Sequence, residues 1–106
     1  MISYSIVVTG KADKDEQLIY DYITKIFGEI YAVKFRQKLI GLFKTLAKYP
    51  FIGRVAKNDA SLRVVLFSKQ NKIVYKVTEK EIVIIRILNT KHKQLPDTKP
   101  SDSIQL

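Results

Sequence analysis

Two helical repeats followed by three strand-like repeats leave this chain few possible folds. Leu18, Ile19, Tyr22, Ile23, Ile26 and Phe27 recur at three- and four-residue spacing and make one apolar stripe. Gly28 breaks the run. Ala32, Phe35, Leu39, Leu42, Phe43 and Leu46 then make a second stripe over about residues 29–48. So short a joint implies an antiparallel helical hairpin. Pro50 and Gly53 end the second helix, and a loop runs to about Ala60. Three strands are predicted beyond it, at 62–67 (LRVVLF), 72–78 (KIVYKVT) and 82–89 (IVIIRILN), with hairpin-length connections Ser68–Asn71 and Thr78–Glu81. The last run is apolar on both faces apart from Arg86, as an interior strand reads. Upstream, residues 2–8 (ISYSIVV) set Ile2, Tyr4, Ile6 and Val8 against Ser3, Ser5 and Val7, the alternation of a half-buried strand. Thr9 or Asp13 would cap the first helix, and Asp13, Asp15 and Glu16 suit the positive end of its dipole.

These elements predict an α+β fold of order β-α-α-β-β-β, with the helical hairpin packed on one face of a mostly antiparallel four-stranded sheet. Residues 1–95 would form one domain. Residues 96–106 (PDTKPSDSIQL) lose periodicity and read as a flexible C-terminal tail. At 106 residues and 46% hydrophobic, the chain is long and apolar enough for a single core. It has no cysteine and one histidine, which argues against disulfides and transition-metal sites. No metal and no cofactor is expected. No opening signal segment and no membrane-length apolar run is visible, so a cytoplasmic protein without membrane contact is expected.

The charge is unevenly placed. Between Ile30 and Thr78 lie eleven basic residues and one acid, Asp59, while the two flanks carry eight basic and nine acidic residues. Nearly all of the +9 net charge is therefore central. Such a field concentrates polyanions and acidic proteins at the surface. If 62–67 and 72–77 pair across a four-residue loop, Phe67 faces Lys72, Val65 faces Val74 and Arg63 faces Lys76. One face then carries Arg63, Val65, Phe67, Lys72, Val74 and Lys76. The other, with Val64, Leu66, Ile73, Tyr75 and Val77, reads as core. A one-residue slip would reverse this.

In this order and spacing, several segments resemble the RelE/ParE superfamily, the toxin half of bacterial type II toxin–antitoxin pairs. ADKDEQLIYDYITKIFGEIYAVKF, with Gly28 and Ala32 at its joint, resembles the helical hairpin of that superfamily. LAKYPFIGR resembles its loop at Leu46, Pro50, Gly53 and Arg54. LRVVLFSKQNKIVYKV followed by IVIIRILN resembles its three-strand meander. The resemblance spans roughly residues 3–95. It implies a growth-arresting toxin inhibited by a cognate acidic antitoxin. The ribonuclease branch cuts mRNA on the ribosome, without a metal, through a basic cluster. The ParE-type branch lacks that cluster and poisons DNA gyrase. Arg63 and Lys72 fall at basic positions of the ribonuclease branch, whereas Val65 stands for a second lysine, Gln94 for an arginine, and no Tyr follows Ile87. The ribonuclease is the first expectation, the gyrase inhibitor the second. A small basic nucleic-acid-binding domain without toxicity is the third.

For cleavage, Arg63 and Lys72 would relieve charge on the scissile phosphate, and His92 would move a proton. Each has a plainer reading: Arg63 could pair with Asp59, and His92 could be an exposed residue in a solvated basic turn. Arg54, Lys76, Arg86, Lys91 and Lys93 are candidate contacts to RNA or a protein partner. Arg54 could instead pin its loop through carbonyls. Arg86, interrupting an apolar strand, requires a partner or a carboxylate. Tyr75 is read as core with its hydroxyl bonded at the edge. Asp59 could serve as a general base only beside Arg63 and Lys72; a salt bridge to Arg54 or Arg63 is the safer reading. Lys34, Lys38, Lys44 and Lys48 would contribute a general field.

Overall fold

In the computed structural model, which describes residues 3–89, β1 (Ser5–Val8) lies parallel to β5 (Glu81–Asn89), with Ser5 opposite Glu81 and Val8 opposite Ile84. Thr9 ends the strand and starts the helix. Its N–H donates to Ile84 O, its hydroxyl donates to Ile85 O, and the same oxygen accepts from Ala12 N–H at 3.1 Å as the cap of α1 (Gly10–Phe27). Gly28 has φ 100°, a region that favours glycine, and its N–H donates to Ile23 O and Thr24 O. This lets α2 (Glu29–Lys48) begin at the next residue and turn back along α1. Between the helices, Glu16 accepts from Arg36 at 2.6 and 2.9 Å, and the guanidinium stacks over the Tyr20 ring at 3.7 Å.

The hairpin buries Ala12 and Ile19 from α1, and Phe35, Leu39 and Leu46 from α2, against Ile73, Tyr75, Ile82, Ile84 and Ile87. The sheet has five strands rather than four, in the order β1-β5-β4-β3-β2. β3 is Arg63–Leu66 and β4 is Asn71–Val77; both pairings of β4 are antiparallel. The added strand is β2 (Arg54–Val55), an edge piece antiparallel to β3 where the sequence reads as loop. Tyr75 explains it. Its buried hydroxyl donates to Pro50 O at 2.7 Å and accepts from Gly53 N–H at 2.9 Å, which draws the loop onto the sheet edge. A Cβ at Gly53 would lie 2.6 Å from that hydroxyl and 2.9 Å from Val64 O, so glycine is required by close approach.

β5 is the interior strand expected, and a bulge turns Arg86 off the face that Ile82 and Ile84 share and puts Ile87 there instead. Val74 pairs with Arg86 but Tyr75 with Ile84, leaving Ile85 as the extra residue. Ile82, Ile84 and Ile87 pack under the helices. Ile85 and Leu88 join a small second cluster with Ala56, Leu62, Val64 and Val74. Beyond the end of β1, Asp15 closes the free edge of β5. Its carboxylate accepts from Ile87 N–H at 3.0 Å and takes Arg86 in two hydrogen bonds at 2.6 and 3.0 Å.

The β3–β4 register differs by one residue from the expectation. Arg63 faces Tyr75, Val64 faces Val74, Val65 faces Ile73 and Leu66 faces Lys72. The turn sets this. Ser68 Oγ accepts from Gln70 N–H, Asn71 N–H and Asn71 Nδ2, and Phe67 N–H donates to Asn71 O, which closes a three-residue loop instead of a four-residue one. The faces of β4 stand as expected, but those of β3 are exchanged. Phe67 therefore packs on Phe35 at 5.9 Å between ring centres, and Leu66 points away from the helices.

Tyr75→Phe should lower unfolding stability by about 1–3 kcal/mol in a urea titration at neutral pH, because Pro50 O and Gly53 N–H lose their shared partner. Burial raises the Tyr75 phenol above its usual range, partly opposed by the Gly53 hydrogen bond and the charge of Arg63. The folded state thus prefers the protonated phenol. Its contribution is complete below the ordinary tyrosine pKa and is lost as pH rises through the raised folded value. The stability gap between the parent and Tyr75→Phe should narrow over that alkaline range; a gap independent of pH would contradict this.

Candidate partner-binding surfaces

Away from the helices, the sheet presents cations around the second apolar cluster. Arg54 lies opposite Val64, Val64 opposite Val74, and Val74 opposite Arg86, so these positions form one row across the face. Lys72 lies in the next row between Leu66 and Leu88. Lys76 lies opposite Val83. Lys72 is half-buried, whereas Arg54 and Lys76 are exposed. This open cationic face retains four of the candidate residues, Arg54, Lys72, Lys76 and Arg86.

Arg63 is not on it. Facing Tyr75, it lies on the helix side of the sheet, opposite in direction to Lys72. The predicted grouping of Arg63, Phe67, Lys72 and Lys76 is corrected accordingly, the cause being the Ser68 turn. The guanidinium of Arg63 donates to Gly53 O at 2.7 Å and to Phe51 O at 3.4 Å, and lies 5.0 Å from the centre of the Phe51 ring. It performs the loop-pinning considered for Arg54. Asp59 pairs with neither arginine. Its Oδ1 accepts from Ser61 Oγ at 2.6 Å and Ser61 N–H at 2.9 Å, and these bonds hold its pKa below the usual carboxylate range. The short Asx turn satisfies it locally.

Arg86 reaches a carboxylate, as an arginine in an apolar strand requires. The Asp15 partner maintains its charge against the cost of burial. Lys91, His92 and Lys93 lie outside the described residues, as do Gln94 and the predicted tail. Lys34, Lys38, Lys44 and Lys48 are all exposed on α2, as a general field requires. Sequence reasoning missed the loop-bracing role of Arg63 and the exposure of Tyr49, Phe51 and Ile52. The signal was available: three large apolar residues flanking Pro50 in a segment with no periodicity. Among the described residues, no group of three His, Cys, Asp or Glu side chains is placed to hold a metal, and no helix is long and apolar enough to cross a membrane.

A helical hairpin on one face of such a sheet is the architecture of small toxins from bacterial toxin–antitoxin pairs. The chromosomal ParDE system of P. aeruginosa contains a chain that superposes with a TM-score of 0.72 at 27% identity, over 82% of this chain and 96% of that one. The YoeB dimer of Staphylococcus aureus (TM-score 0.59, 20% identity, 81% of this chain and 95% of that one) shares the fold. So does the E. coli DinJ-YafQ toxin-antitoxin complex (TM-score 0.60, 19% identity, 90% and 99%). No curated protein is significantly similar in sequence. The pattern described as the ParE toxin of the type II toxin-antitoxin system parDE matches residues 6–93, and the chain belongs to that family.

The geometry separates the two lead cations by their structural weight. Arg63→Ala should cost about 1.5–3 kcal/mol in chemical denaturation, since it frees two loop carbonyls from a charged donor. Lys72→Ala should stay within about 0.5 kcal/mol of the parent. Equal stability of the two variants would contradict the bracing role of Arg63.

Proposed function

We propose that this toxin acts as a non-enzymatic inhibitor of DNA gyrase, the second expectation from the sequence, rather than as a ribosome-dependent mRNA endonuclease. The observation that carries the reading is the separation of Arg63 and Lys72 onto opposite faces of the sheet. Phosphoryl chemistry on RNA needs charge relief and a proton acceptor converging on one phosphate. Here Arg63 is committed to loop carbonyls and Asp59 to Ser61. The match to the ParE family over most of the chain supports the same branch. Inhibition by binding requires only a surface.

The partner in this reading is a cognate antitoxin, an acidic amphipathic segment that folds over the cationic sheet face. Arg54, Lys72 and Lys76, with the half-buried Ile85 and Leu88 among them, offer alternating charge and apolar contact. Its association rate should fall steeply with added salt, as measured by stopped-flow mixing. An equal rate at low and high salt would remove the electrostatic part of the reading.

Expression of the chain alone should arrest growth, and co-expression of the antitoxin should restore it. Purified toxin should block gyrase supercoiling, while transcripts mapped at nucleotide resolution in arrested cells remain intact. Codon-phased cuts that vanish in Lys72→Ala, with supercoiling unaffected, would sink the gyrase reading and restore the ribonuclease.

A further inference from the structure

The loop between α2 and the sheet is built in an unusual way. Pro50 and Gly53 are buried, yet Tyr49, Phe51, Ile52 and Val55 are 60, 58, 50 and 46% exposed. A surface connection normally carries polar side chains on a mobile backbone. Here the backbone is fixed and the apolar side chains are left outside.

The fixing can be followed group by group. Tyr49 N–H donates to Thr45 O, and Ile52 N–H donates to Tyr49 O. Pro50 O and Gly53 N–H share the Tyr75 hydroxyl. Phe51 O and Gly53 O accept from Arg63, which also lies against the Phe51 ring. Arg54 and Val55 pair with Val64 and Arg63. Ordering entropy is thus already spent in the free protein, which is the condition for a preformed binding surface. Tyr49 and Arg54 are of the residue types in which interface hot spots are enriched, and Phe51 and Ile52 add exposed apolar surface beside them.

Lys48, Arg54 and Lys57 are exposed around this loop, and the nearest acid in sequence, Asp59, is turned onto Ser61. We infer that the Tyr49–Val55 loop is the anchor by which the toxin grips a folded protein target, inserting Phe51 and Ile52 into an apolar pocket rimmed by carboxylates. This rests on the binding-inhibitor reading above and names the surface that carries it. A second copy of the chain is disfavoured, since both would carry +9. Nucleic acid is disfavoured although Tyr49 and Phe51 carry rings and cations flank them: the Phe51 ring already has the Arg63 guanidinium 5.0 Å from its centre, and Ile52 and Val55 add aliphatic surface that neither stacks on a base nor pairs with a phosphate. A disordered segment would seek a groove to lie in, whereas this loop projects side chains.

The test uses the full-length toxin with Phe51→Ser and Ile52→Ser combined, and gyrase with relaxed plasmid as the probe. Both side chains are largely in solvent, so the melting curve should stay near that of the parent. The inhibitory concentration should rise at least about tenfold, the scale of losing a hot-spot pair. Ile30→Ser, at an exposed apolar position on the hairpin, is the control and should leave inhibition unchanged. Lys57→Glu should weaken inhibition as well. Full inhibition by the double variant would overturn the inference while leaving the gyrase reading intact. So would an equal loss in Ile30→Ser, or a gain in inhibition from Lys57→Glu. Loss of affinity for plasmid alone, or for vesicles of anionic lipid, confined to the double variant would reassign the loop to nucleic acid or membrane and also overturn it. If the parent arrests growth without touching gyrase, the reading fails on its own and growth arrest becomes the readout. A well-folded double variant that no longer arrests growth then supports the anchor, and one that still does overturns it.

Discussion

One phenol hydroxyl holds the edge of this molecule together. The Tyr75 oxygen is the shared partner of Pro50 O and Gly53 N–H, and it sits where the core meets the loop. Buried backbone groups need partners, and a proline three residues before a glycine leaves no regular ladder to supply them. Tyr75 does so from the adjacent strand pair, and Arg63 then takes the outward carbonyls. β2 exists because this closure brings Arg54 and Val55 within reach of β3. The loop that follows α2 is thereby part of the sheet in mechanical terms.

The parts of this fold legible in the sequence were those set by local periodicity. Both helical stripes, the Gly28 joint, the Thr9 cap and the three meander strands follow from spacing of three to four or of two residues. The β3 register was not legible, for a specific reason. Val64, Val65 and Leu66 are apolar at both parities, so the strand itself does not say which face is core. The decision falls to the turn, where one hydroxyl, Ser68, gathers three donors. β2 was hidden because two residues carry no period. The bulge at Ile85 was hidden because the run from Ile82 to Leu88 is apolar at both parities apart from Arg86, which reads as an interior strand with or without an extra residue.

The candidate surface divides along the same line. Lys72 and Lys76 sit where alternation in their own strand placed them. Arg63 does not, because its placement depended on its neighbour's register. Arg86 was readable as an arginine in need of an acid, though the identity of Asp15, seventy-one residues earlier, is a property of the fold alone.

The two strong ion pairs also sort the charges by task. Asp15 and Glu16, adjacent on α1, hold Arg86 and Arg36. Of the eleven central cations, Arg36 is the one in an ion pair among the described residues, so most of that field faces outward. A field of this kind accelerates encounter with any acidic partner but discriminates poorly between them. Discrimination must come from short-range fit. At β2 the two meet. Arg54 shares its face with Val64 and the open cationic side, whereas Val55 shares its face with Arg63 and the braced loop. Two adjacent residues thus mark the border between a surface suited to steering and one suited to gripping, and the border is fixed by strand alternation.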